Sequence, residues 1–258
     1  MSNVNRPVRH GQPWTRDELV LAFDLYCRIP FQQTKASNPQ VQELAHLLGR
    51  TPASVARKLG NFGAFDPELK KKGISGLIHS GKLDKEIWED FHHDWNGLVL
   101  EAYRLRRKFK GQECSLEANV LPRGPTETVR ETKVRLHQDF FREAVLSSYC
   151  QTCCITGIRV IECLIASHII PWAVDESKRT DPTNGLCLSA TFDRLFDKGL
   201  VTITREMRVQ VSQRLLSRTE LPIQKHILDY HGQSILLPHR FLPADEYLEW
   251  HRTNVFQG

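Results

Sequence analysis

The sequence predicts an α+β protein of two domains. A mainly helical N-terminal domain spans residues 1–110, and a C-terminal domain over 131–258 mixes short strands with helices. Three observations carry this reading. Residues 13–110 place apolar side chains at helical spacing between cap signals. Residues 200–204 and 208–212 alternate apolar and polar side chains as strands do. Between the halves, residues 111–130 hold Gly111, Pro122, Gly124 and Pro125 without a usable period, which marks a linker. A length of 258 residues also suits two modest domains.

The first helix is announced by Thr15 and Glu18, a capping box, and runs through Leu19, Ala22, Phe23 and Tyr26 to stop before Pro30. Asn38-Pro39 caps and starts a second helix that Gly49 ends, and Thr51-Pro52 repeats the device for a third through Val55, Leu59 and Phe62. Two short helices joined by a glycine-containing turn read as helix-turn-helix-like. On the third helix Arg57, Lys58 and Asn61 fall on the face away from Val55 and Leu59, where they can meet a nucleic-acid groove. One longer helix is expected from Asp84 to Lys110, ending in the basic run from Arg104 to Lys110. In the C-terminal half a helix is expected from Thr132 to Leu146 and a short one from Asp193 to Leu200. Strands are expected at 186–188, 200–204, 208–212 and 234–237, and a last helix from Pro243 to His251.

Composition narrows the class. Hydrophobic residues at 40% and charged residues at 25% are ordinary for a soluble globular protein. No run of about 18 apolar residues offers a membrane span, and the first ten residues lack a signal-peptide core, so the expected location is cytoplasmic. Seven cysteines, an odd number, suit reduced thiols rather than a disulfide framework. Cys150-Gln-Thr-Cys153 has no second ligand pair at zinc-ribbon spacing, which argues against structural zinc. Residues 1–110 hold 18 Lys+Arg against 12 Asp+Glu, whereas residues 111–258 hold 17 against 18. The basic excess sits wholly in the N-terminal half, as expected of a part that meets a polyanion such as DNA.

The chemistry concentrates in one stretch. His168 closes an apolar run, Asn184 follows sixteen residues on, and Asp193 and Asp197 come next, one helical turn apart. A neutral histidine can take a proton from water near pH 7. Carboxylates can hold a hard divalent cation against a phosphate. Together these groups suit metal-assisted cleavage of a phosphodiester.

Residues 138–200 resemble the HNH endonuclease family, whose core is the ββα-metal fold. The resemblance lies in Cys154-Ile-Thr-Gly157, Ala166-Ser-His-Ile-Ile-Pro-Trp172, Arg179-Thr-Asp-Pro-Thr-Asn-Gly185 and Asp193-Arg-Leu-Phe-Asp-Lys-Gly199. It is closest to a branch found in restriction enzymes. The resemblance implies His168 as general base, Asn184 as anchor of the loop that orients it, and Asp193 as metal ligand, with Asp197 an auxiliary. Arg179, Arg194 and Lys198 are then candidates for phosphate contact. Ser167 stands where many relatives carry an aspartate or histidine ligand, so the implied cation, Mg2+ or Mn2+, would rest mainly on Asp193, waters and substrate. The implied function is metal-dependent DNA cleavage in restriction or defence. The alternative is a DNA-binding regulator with an inactive HNH-like domain. Double-strand cleavage by one site per chain would call for a homodimer.

Overall fold

The computed structural model describes residues 9, 11–73, 81–111 and 126–258, the side chains of 126–131 excepted. Most of the expected linker, 112–125, lies outside the described residues. The chain divides into two compact units, Met1–Phe140 and Phe141–Gly258.

In the first unit, α1 (Arg16–Arg28) is the central element, buried along nearly its whole length from Glu18 to Cys27. The Thr15/Glu18 capping box forms. Around it stand α2 (Pro39–Leu48), α3 (Pro52–Gly63), the short α4 (Pro67–Lys71), α5 (Lys82–Phe91) and α6 (Trp95–Phe109). Asn38 and Thr51 cap α2 and α3 through their side chains, and Gly49 ends α2 in the left-handed conformation, φ 62°. Phe23 on α1 meets the rings of Phe62, Trp88 and Trp95 at 5.0, 5.4 and 6.4 Å between centroids. A helix buried on all sides has little room for polar groups, yet Asp24 lies in it fully buried. Arg28 and Arg106 each bond it at 2.9 Å. Burial alone would push this carboxyl up, but the two guanidiniums outweigh it and hold it below the usual range.

Three expectations for this unit need correction. The single helix expected over 84–110 is two, because the Asp94 side chain accepts from Gly97 N at 2.8 Å and starts α6 afresh. Asn61 is buried rather than outward-facing, and its amide donates to Asp84 at 2.7 Å. Lys58 closes on the same carboxylate at 2.8 Å. The reason is one acidic side chain on α5, Asp84, which draws the flank of α3 into the interior. Much of the basic run on α6 is likewise engaged: Arg104 pairs with Glu101, Arg106 with Asp24 and Lys108 with Asp17.

Helix α7 (Thr126–Ser148) begins inside the stretch expected to be linker. Its residues from Phe141 onward belong to the second unit. There β1 (Leu164–His168) pairs antiparallel with β2 (Gly185–Ser189), His168 opposite Gly185. Helix α8 (Ala190–Asp197) follows at once and packs against both strands. It starts three residues earlier than expected because Ser189 takes the extended N-cap conformation. A second hairpin, β3 (Val201–Ile203) with β4 (Val209–Val211), comes after α8. The strand expected at 234–237 amounts to one bridge, Arg208 to Ser234. Short α9 (Gln213–Leu216) and α10 (Leu221–His226) were not expected; α11 (Asp245–Asn254) closes the unit against β3.

The core of this unit runs through Phe141, Val145, Leu164, Leu186, Leu188, Phe192, Phe196, Val201 and Leu248. Each such side chain contributes about 1.5–3 kcal/mol by leaving water. No described helix is long and apolar enough to cross a membrane.

Candidate active site

The strand–loop–strand–helix unit sets His168 at the last position of β1, where the chain leaves the sheet for the loop 169–184. That loop is tied to the sheet by one buried side chain. Asn184 Oδ1 accepts from Ile170 N at 2.8 Å, and its Nδ2 donates to Ile170 O at 3.1 Å and Lys178 O at 3.2 Å. Its own carbonyl takes Ile169 N at 2.9 Å. Further along, Asp181 Oδ1 accepts from Thr183 N and Oγ1, while Tyr247 donates its hydroxyl to Asp181 Oδ2. Arg179 stretches across the loop, with Nε on Trp172 O at 2.9 Å and NH1 on Glu176 at 2.9 Å. Its guanidinium is therefore engaged within the loop.

The backbone of Arg179 fixes the histidine. Its carbonyl lies 3.0 Å from His168 Nε2. A carbonyl can only accept, so Nε2 carries the hydrogen and Nδ1 of the neutral ring keeps its lone pair. No described group bonds Nδ1. The ring is stacked on Phe141 at 3.6 Å and 9° and meets the edge of Trp172 at 5.6 Å. Burial lowers its pKa from the ordinary 6.5; the Arg179 carbonyl opposes this and the nearby Arg179 charge adds to it. The outcome is a neutral imidazole at pH 7 with one basic nitrogen.

Gly185 makes this arrangement possible. A Cβ there would collide with the Val145 side chain and come within 3.0 Å of the Phe141 ring, the ring that supports His168.

His251 offers an internal comparison. It is stacked on Phe196 at 3.7 Å and 10°, and its Nε2 donates to Phe196 O at 3.0 Å. Here, however, the Thr202 hydroxyl sits 2.9 Å from Nδ1, and burial pushes the pKa down to about 4. The same ring environment with both nitrogens occupied is structural. At His168 the stacking and the Nε2 contact recur, but Nδ1 is left over, so the neutral ring keeps a basic nitrogen.

Asp193 is half-buried and Asp197 exposed on α8. Burial raises the Asp197 pKa first, and the charge of Asp193 raises it further against Arg194 and Lys198. Two carboxylates that feel each other are what a cation would relieve. Ser167 is 2% exposed and its Oγ has no hydrogen-bond partner. As neighbours in a strand, Ser167 and His168 leave on opposite faces. Among the described residues no three His, Cys, Asp or Glu side chains gather as a metal cluster. Oxygen donors in this number fit a sparsely held hard cation such as Mg2+, which keeps most of its waters. Burial pushes the Cys154 thiol up, and Cys187 up to about 12. Both are protonated at neutral pH and pack as apolar groups.

The expected phosphate contacts divide. Arg194 is exposed on α8, Lys198 at its C-cap and Arg57 on α3, whereas Arg179, Lys58 and Asn61 are engaged internally. Residue-by-residue reading missed Phe141 and the Arg179 carbonyl. Phe141 comes from a helix outside the motif, and a backbone oxygen leaves no mark in a sequence.

A family model described as HNH endonuclease matches residues 153–204, a segment that holds β1, β2, α8 and β3. The match covers well under half of the chain and supports a nuclease in general terms. No curated protein matches the chain.

Proposed function

We propose that the C-terminal unit is a metal-dependent HNH endonuclease that hydrolyses DNA phosphodiester bonds, in restriction or defence against foreign DNA. The observation that carries this reading is the fixed tautomer of His168. Nε2 is committed to the Arg179 carbonyl, which leaves Nδ1 to take the proton of the attacking water. Asn184 acts one step behind, by holding the loop that supplies that carbonyl. Asp193 would hold a divalent cation, Mg2+ or Mn2+, with Asp197 as a further oxygen donor; Ser167, buried on the face of β1 opposite His168, is left out of the set. When bound, such an ion neutralises the nonbridging phosphate oxygens and eases departure of the alkoxide. Arg194, exposed on the same helix, and Lys198, exposed at its C-cap, suit flanking phosphates. The basic first unit, with its helix-turn-helix-like α2 and α3, would hold the DNA. Arg57 is the exposed cation of that pair.

The rival is a DNA-binding regulator whose HNH-like unit is inactive. It draws on the thin ligand set, which has a serine at 167. Supercoiled plasmid with Mg2+ or Mn2+ separates the two. The nuclease reading expects nicked or linear product from the wild type and a loss of about 10²–10⁴-fold in His168→Ala, the usual effect of removing a general base. Binding without any cut by the wild type, on modified and unmodified DNA alike, would establish the rival.

A further inference from the structure

The first unit contains a cavity of about 330 Å³ that no step of the proposed cleavage uses. It lies within the size range of small-molecule sites, about 300–1,000 Å³. Arg9, Gln12, Trp14, Arg50, Ser54 and Arg57 are among its walls. Three arginines and an indole therefore border one space.

The charges do not cancel inside. Arg9 and Arg50 share a single buried carboxylate, Glu18, with Arg9 NH1 on Oε1 at 3.1 Å and Arg50 Nε and NH2 on Oε1 and Oε2 at 2.9 and 2.8 Å. Arg50 also donates to the carbonyls of Gln12 and Pro13 at 3.0 and 2.8 Å, so it is locked in place. Its guanidinium lies 4.3 Å from the centroid of the Trp14 ring. Among the described residues Arg57 has no ion-pair or hydrogen-bond partner. Three positive side chains against one negative leave an excess of two, held at the mouth of the first turn of α3, whose dipole has the same sign.

We propose that this cavity binds a nucleoside monophosphate unit, its phosphate on Arg57 and Arg9 and its base against Trp14. A dianion answers the uncancelled charge, and arginine forks match phosphate oxygens. A planar base suits a wall of indole and guanidinium planes, on either of which bases stack without sequence preference. The Trp14 ring already meets the Arg50 guanidinium at 4.3 Å and Lys58 Nζ at 5.8 Å, so the wall beside the uncancelled charge is a stack of indole and guanidinium, and an apolar ring alone would leave two charges unanswered. The unit can be a free mononucleotide or one nucleotide of a DNA chain. The pocket stands independently of the chemistry at His168, so its test is binding, not cleavage.

The experiment is calorimetric titration of the full-length protein in EDTA with deoxyadenosine 5′-monophosphate, deoxyadenosine and inorganic phosphate. Anisotropy with a labelled duplex oligonucleotide runs beside it. The expected result is saturable binding of the monophosphate, weaker binding of the nucleoside and of phosphate, and a loss of about tenfold or more in Arg57→Ala. Arg57 is exposed, so that variant keeps the fold; Trp14→Phe preserves an aromatic wall and should bind better than Trp14→Ala. If Trp14→Ala weakens the monophosphate while duplex affinity stays unchanged, the ligand is a free nucleotide. If duplex affinity falls with it, the ligand is a nucleotide of the chain. Phosphate binding as tightly as the monophosphate would overturn the nucleotide class. No saturable binding, or binding indifferent to Arg57→Ala and Trp14→Ala, would overturn the site.

Discussion

Lowering the pH should destabilise this protein through His251, and the size of the effect follows from its surroundings. The ring is 1% exposed, its Nε2 donates to Phe196 O, and Nδ1 takes the Thr202 hydroxyl. Burial sets its folded-state pKa at about 4, against 6.5 for an ordinary histidine. Above pH 6.5 the imidazole is neutral folded or unfolded, and it contributes no pH dependence. As pH falls through 6.5 only the unfolded chain takes up the proton, so stability drops until the folded ring also titrates near 4. A separation of two to three units, at about 1.36 kcal/mol per unit, amounts to about 3 kcal/mol across that window. Domains of this size are commonly stable by only about 5–15 kcal/mol, so the effect is large enough to measure. Urea unfolding followed by tryptophan fluorescence from pH 7.5 to 4.5 should show it, and a histidine-selective NMR titration should place His251 near 4. His251→Gln should start less stable but lose less on acidification. An equal acid slope in wild type and His251→Gln would refute the reasoning, as would a His251 resonance titrating at or above 6.5.

Three further outcomes are expected. Asn184→Ala strands the amide and carbonyl of Ile170 and removes one of the two bonds to the Lys178 carbonyl, which keeps Asp181 N; unfolding should become easier by about 2–4 kcal/mol, each unmade buried bond costing about 1–3 kcal/mol, and cleavage should fall with it. Chemical denaturation and the plasmid assay read the two effects. The pH profile of cleavage should rise along an acid limb with its midpoint below 6.5 and then flatten, because the basic form of His168 is the active one and its pKa is lowered; a limb centred above 7 would contradict this. Gly185→Val should push Phe141 away from the His168 ring, impairing cleavage while leaving duplex binding by the full chain intact, as gel-shift and nicking assays on one preparation would show.

Much of the helical half was legible because its punctuation is local. Thr15 with Glu18, Asn38-Pro39 and Thr51-Pro52 each start a helix by bonding amides within three residues, so a short window contains the whole cause. The break at 92–94 was not legible: Phe91 and Trp95 keep the apolar period running across it, and the interruption comes from the Asp94 side chain turning back on Gly97. Asn61 misled for another reason, since its buried partner Asp84 is 23 residues away on a separate helix. In the second unit, spacing placed His168 at a strand end and Asn184 beside a re-entering strand. It could not supply the ring beneath the histidine or the oxygen that orients it, because both depend on tertiary closure of the loop and of α7.

The clamp on Ile170 has a consequence for how the site can be observed. The Asn184 side chain holds both the amide of Ile170 and the carbonyl of Lys178, one residue before the oxygen that fixes His168. Each local opening of the loop that exposes the Ile170 amide to deuterium therefore frees the ring to rotate and to carry its proton on the other nitrogen. Slow exchange at that single amide reports how well the ring's tautomer is held, and the opening free energy derived from it sets the population in which that hold is released.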